Sequence, residues 1–210
     1  MEAGDLKDFG RHEAFAFFSR FSNPFYMVTF RQDVTNLYQY AKRRSLSFYY
    51  AMVWACTRSM NQVDAFHYAI RDGKPVYLPE RKPSFTDLRP GSGQFHIVTM
   101  DMLCDPGAFC MEAVQLSKAQ TNFLDEEKES DDLVCFTCLP WIEMTAFTNA
   151  RDLSAPGAGD NSVPCLAWGK FIEENGRKIL GISVEVNHRL IDGIHIGAFA
   201  ERLTACIQAL

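Results

Sequence analysis

Apolar residues recur along this chain with two periods, and the points where the period changes mark its elements. Ile182, Val184 and Val186 alternate with Ser183, Glu185 and Asn187, the two-residue period of a strand, and the run leads into His188. Four residues later Asp192-Gly193 breaks the pattern, and Ile194, Ile196, Phe199, Leu203 and Ile207 return at helical spacing. A strand is predicted over 178–188 and a helix after 193. A strand over 165–173 joins the first through Glu174-Asn175-Gly176-Arg177, a hairpin turn built on Asn-Gly.

Residues 9–20 suit a short helix or turn that lays Phe15, Phe17 and Phe18 on a neighbour. Strands follow at 25–30, 83–88, 94–102, 133–138 and 142–148, each rich in aromatic or β-branched residues. Phe66–Ile70 and Pro75–Leu78 flank Arg71-Asp72-Gly73-Lys74, a second hairpin. Asp33 is placed to cap a helix through Leu37, Tyr40 and Ala41, and Ser45 or Ser47 to cap one over 48–60 that is apolar round much of its circumference. Asp105-Pro106 opens a helix expected to reach about Leu124. The acidic run 125–132 is expected to be a solvated loop, and 153–162, rich in Gly, Ala, Pro and Ser, a mobile one. These elements make an α+β chain, with helices covering a mixed or antiparallel sheet.

Composition narrows the classes. With 210 residues and 47% hydrophobic content, one domain over 1–210 has enough apolar surface for a core. A net charge of −5, with no basic run longer than Lys42-Arg43-Arg44, argues against nucleic acid as a partner. Residues 1–8 lack the apolar core of a signal sequence, and no apolar run approaches the ~20 residues of a membrane helix. We expect a soluble, cytoplasmic protein without a membrane partner. Seven scattered cysteines suit buried use in a reducing compartment. Cys135-Phe136-Thr137-Cys138 reads as structural rather than as a metal or redox motif, since no second Cys pair or nearby His completes a set. No metal is expected.

The chemistry concentrates at His188. An imidazole at the end of a rigid strand is held firmly, and its ordinary pKa of about 6.5 suits proton transfer near neutrality, so general base is the candidate role.

The run His188-x-x-x-Asp192-Gly193 at a strand end resembles the signature of the coenzyme-A-dependent acyltransferases, which include the chloramphenicol acetyltransferases and the dihydrolipoyl acyltransferase cores. Further stretches are similar to the chloramphenicol acetyltransferase family in order and spacing: Arg11-His12-Glu13-x-Phe15, the 65–73 hairpin, Leu139-Pro140-Trp141 with Phe147, and Trp168-Gly169-Lys170-Phe171. The resemblance implies that family's fold, a homotrimer with active sites between subunits, acetyl-CoA as co-substrate, a small acceptor alcohol and a role in antibiotic resistance. It makes His188 the base, and Asp192, Gly193 and Arg11 the support of its loop, with an Arg11–Asp192 pair. It puts Phe17, Phe18, Ala146 and Ala167 in the acceptor pocket, with Phe17 and Phe18 supplied by a neighbouring subunit, and Lys170 in the coenzyme site. Two departures stand out. Ala146 falls where the family has an oxyanion-binding serine, and Ala167 where it has a water-holding threonine. Thr145 is not expected to substitute, because neighbours on a strand face opposite sides. The same resemblance leaves room for a different small acceptor, or for a trimeric binding protein with weakened catalysis.

Overall fold

A computed structural model describes residues 9–89, 91–155 and 157–210. Residues 1–8, read above for a signal core, lie outside the described residues. The elements run α1 (His12–Phe18), β1 (Phe25–Asp33), α2 (Thr35–Arg43), α3 (Phe48–Met60), β2 (Tyr68–Arg71), β3 (Lys74–Tyr77), β4 (Lys82–Leu88), β5 (Phe95–Thr99), α4 (Pro106–Ala119), β6 (Leu133–Cys138), β7 (Cys165–Trp168), β8 (Ile172–Glu174), β9 (Arg177–Asn187) and α5 (Gly193–Gln208).

Seven strands form one mixed sheet in the order β1-β9-β7-β6-β4-β5, with β8 also paired to β9, while β2 and β3 make a separate hairpin. The β4–β6 and β6–β7 pairs are parallel and the others antiparallel. Alternation gives the large sheet two unlike faces. Tyr26, Val28 and Phe30 of β1 join Val186, Val184 and Ile182 of β9, Leu166 and Trp168 of β7 and Phe136 of β6 in a contiguous apolar cluster with α3 and α5. The alternate positions form the other face, from Met27 and Thr29 through Glu185 and Ser183 to Cys165, Ala167, Cys135 and Thr137. That face carries hydroxyls, thiols and one carboxylate, so it is built for polar company.

Local chemistry sets the helix ends. Ser47, not Ser45, caps α3, accepting from the Tyr50 N–H, while Ser45 sits at φ 55 in the link before it. Asp33 acts one residue further out than expected: its carboxylate accepts from the Thr35 N–H at 2.9 Å and Val34 is the terminal residue of α2. Asp105 and Pro106 start α4 as predicted, but the helix stops at Ala119, because Gln120 turns extended at ψ 121 and its side chain donates to the Ile97 carbonyl.

Two predicted strands are corrected. The 165–173 run is broken into β7 and β8 at Gly169-Lys170-Phe171. Residues 142–148 form no strand; the segment lies across the sheet instead. The reason is that β7 is already paired on both edges, by β6 and β9, and has no free hydrogen bonds to offer. The crossing is close. A Cβ on Gly169 would stand 2.5 Å from the Ile142 carbonyl, and one on Gly181 2.7 Å from that of Met144.

The acidic run and the Gly/Ala/Pro/Ser loop are both anchored. Arg81, 1% exposed, donates to the carbonyls of Phe66, Tyr68, Asp131 and Leu133, and Arg71 holds Asp131 in a two-pronged pair. Pro156 lies outside the described residues, but residues 157–161 are pinned where Asn187 donates to the Gly159 and Asn161 carbonyls and Arg189 reaches Gly159 and Asp160.

Candidate active site

Strand β9 delivers His188 to its C-terminal end, and the N-terminal segment supplies most of its surroundings. Its N–H donates to the Pro24 carbonyl at 2.8 Å, and its own carbonyl accepts from Arg11 Nη2 at 3.4 Å. The Phe18 ring stacks on the imidazole at 3.9 Å and 22°, and Tyr26 leans on it at 4.2 Å and 37°. Two aromatic rings thus clamp a side chain that remains 28% exposed. Tyr26 also donates its hydroxyl to the Ile191 carbonyl at 3.4 Å, and burial pushes that phenol up to about 12. It serves as a neutral wall.

Asp192 does three things at once. As the residue that starts α5, it accepts the Gly193 N–H at 2.7 Å through Oδ1. Its Oδ2 accepts from Arg11 Nη1 at 3.2 Å, joining residues 181 positions apart. Its Oδ1 lies 3.6 Å from His188 Nε2, too far for a hydrogen bond. The Gly193 N–H, and after it Arg11, hold this carboxyl below the usual range. His195 closes the turn. Its Nδ1 accepts the Asp192 N–H at 2.9 Å, and burial together with the Arg11 charge lowers its pKa, which keeps it a neutral acceptor.

Arg11, Phe18, His188, Asp192 and Gly193 therefore meet in one place. Phe18 reaches the histidine of its own chain. Phe17, 51% exposed, packs edge-on to Phe18 and against Phe21, so its outer face is turned to solvent. Gly193 gives its N–H rather than its small size, since a Cβ there would meet nothing within 4 Å.

The remaining predicted positions sit away from the imidazole. Ala146 and Thr145 are both exposed on the 142–148 segment, and because that segment is no strand, alternation does not separate them. Ala167 is buried in β7 with Thr137 and Ser183 as its cross-strand partners. The hydroxyls on either side are paired off, Ser183 with Thr29 at 2.6 Å and Thr137 with Thr86 at 3.1 Å, so Ala167 interrupts a row of hydroxyls. Lys170 is exposed at the break after β7, its N–H donating to the Ile142 carbonyl at 2.6 Å.

Sequence reasoning missed Tyr26, His195 and an ion pair on the polar face. Arg151 Nε pairs with the Glu185 carboxylate, whose other oxygen accepts the Asn149 N–H at 2.8 Å, and the guanidinium lies 3.8 Å over Phe25. Alternation along β9 marks Glu185 as lying on the face opposite Val184 and Val186. Nothing local in sequence identifies its partner 34 residues away.

Comparison with known proteins is consistent over almost the whole chain. Residues 2–204 match the family profile described as chloramphenicol acetyltransferase. Chloramphenicol acetyltransferase 3 of Escherichia coli is 24% identical over 202 residues, covering 95% of this chain and 93% of that protein. The chloramphenicol acetyltransferase of Streptomyces acrimycini is 28% identical over 211 residues, covering 98% and 92%. A solved chloramphenicol acetyltransferase superimposes with a TM-score of 0.86 at 23% identity, covering 98% of this chain and 99% of that one. The cubic core of a pyruvate dehydrogenase multienzyme complex shares the fold more distantly, with a TM-score of 0.68 at 17% identity and coverage of 88% and 81%.

Proposed function

The chain belongs to the chloramphenicol acetyltransferase family, and from that premise we propose that it transfers the acetyl group of acetyl-CoA to a hydroxyl of a small acceptor, with His188 as general base. The observation that carries this is the imidazole itself, clamped by Phe18 and Tyr26, partly open to solvent, with Nε2 free of any hydrogen bond among the described residues and the Asp192 carboxylate 3.6 Å from that same nitrogen. In the neutral tautomer protonated on Nδ1, Nε2 takes the acceptor's hydroxyl proton as the oxygen attacks the thioester carbonyl. The tetrahedral intermediate collapses, the carbon–sulfur bond breaks, and the departing thiolate recovers the proton. Asp192 supports the imidazolium during the interval, and Arg11 keeps Asp192 ionised and in place.

A cavity of about 500 Å3, lined among others by Tyr49, Thr137, Cys138, Pro140 and Trp141, suits the thioester arm of the coenzyme, with Lys170 as a candidate cation for its phosphates. His188 does not line it. That supports a homotrimer in which this cavity meets a neighbour's histidine, each chain acting as a single cytoplasmic domain. One observation favours an acceptor other than chloramphenicol: the buried Arg151–Glu185 pair gives the polar face a charged floor. Thiol release from acetyl-CoA, followed with a panel of alcohols that includes chloramphenicol, tests the proposal. Release that depends on chloramphenicol assigns a resistance enzyme, release with another alcohol assigns that acceptor, and no release with any alcohol leaves a binding protein.

A further inference from the structure

On the polar face, one column away from Ala167, two cysteines stand side by side. Cys135 of β6 and Cys165 of β7 are direct partners in the parallel register, so both thiols project from the same face of adjacent strands. Neighbouring strands run about 4.8 Å apart, inside the Cα separation of roughly 4.4–6.8 Å that a disulfide spans. The Cys165 thiol donates to the Val163 carbonyl at 3.8 Å, and Arg151 Nη2 stands 3.6 Å from the same sulfur. Both line a cavity of about 530 Å3 together with Arg151, Asn149 and Val163, and both are half-buried rather than sealed. A small oxidant can reach them.

From this geometry we infer that Cys135 and Cys165 form a modification site at which a hydroperoxide drives formation of a cross-strand disulfide. Cys165 is the attacking thiol. The neighbouring Cys135 thiol first, and then the Arg151 guanidinium, hold it below the ordinary thiol range against burial and the nearby Glu185, while Cys135 is pushed up. The Cys165 thiolate attacks one peroxide oxygen; an S–O bond forms, the O–O bond breaks, and the leaving oxygen takes a proton to give water or an alcohol. Cys135 then attacks the sulfenic sulfur. The S–S bond forms, the S–O bond breaks, and hydroxide leaves as water with the Cys135 proton. Two electrons pass from two thiols to one peroxide, and a dithiol reductant reverses the change. The product joins β6 to β7 and takes the sulfur away from Arg151. None of this depends on acyl transfer.

The test uses hydrogen peroxide on the whole protein carrying Cys104→Ser, which removes the one exposed cysteine among the described residues. Peptide mapping without reduction should recover a Cys135–Cys165 peptide pair lighter by two hydrogens, absent after dithiothreitol. In Cys135→Ser, dimedone should label Cys165, and in Arg151→Met the oxidation should slow by about three- to tenfold, following the smaller thiolate fraction. Cys165→Ser should abolish the product. The inference is overturned if the unsubstituted pair yields no linked peptide, if dimedone labels Cys138 or Cys206 in place of Cys165, or if the link joins two chains.

Discussion

His188 is positioned by contacts that begin and end in different parts of the chain: Pro24 holds its N–H, Arg11 its carbonyl, and Phe18 and Tyr26 its ring. Replacing it with Gln keeps the backbone hydrogen bond and removes the base, so acetyl transfer should fall by about 10²–10⁴ with an unchanged circular dichroism spectrum. A rate within a few-fold of the parent in the thiol-release assay contradicts the assignment. Asp192 carries a pH signature. Because its folded pKa is depressed, its contribution to stability is present above the ordinary carboxylate range and is lost as pH falls through the folded value. Thermal midpoints of the parent and Asp192→Asn should therefore differ at neutral pH and converge in acid. We also expect Ala146→Ser to raise turnover by about tenfold or more at constant KM, as restoring an oxyanion donor does. A null result moves the other small acceptor ahead. His188, Asp192 and Arg11 were legible because each sits in a short local pattern. Tyr26 was not, because its place beside the imidazole follows from a β1–β9 register that no local pattern states.

Among the elements, helices with side-chain caps were legible, since Ser47 and Asp105 act within three residues of the groups they satisfy. The 142–148 segment was not, because a strand-like composition says nothing about whether a strand edge is free to receive it. Its position depends on two glycines instead. Gly169→Ala should destabilise the protein by about 1–3 kcal/mol, because the added Cβ meets backbone rather than a yielding side chain. Urea unfolding with an unchanged m value measures it, and a midpoint equal to that of the parent shows that the segment shifts freely. Arg81 was equally hidden. Its carbonyl partners come from 66, 68, 131, 133 and 162, a convergence that exists only after the hairpin and the acidic run have met.

At the scale of the whole molecule, the mixed sheet and its helices were legible from periodicity, whereas the strand order was not, since parallel neighbours such as β4 and β6 lie far apart in sequence. Phe17 and Phe21 expose an aromatic cluster at the margin of the site. Sedimentation at micromolar concentration should report three subunits, and a monomer with full activity excludes the shared cleft. The pairing of β1 with β9 has a separate effect on how the protein is made. Among the described residues, β1 finds its only neighbour in the sheet in β9, Phe25 opposite Asn187 and Asp33 opposite Ile179. On the ribosome, β1 therefore waits with one long edge unsatisfied until β9 has emerged. A nascent chain arrested before β9 emerges offers that edge, and the bare flank of β7, to any passing strand. Elongation speed and chaperone capture between the synthesis of β1 and that of β9 should thus govern how much of the chain folds, and termination before β9 should yield aggregates rather than a weaker enzyme.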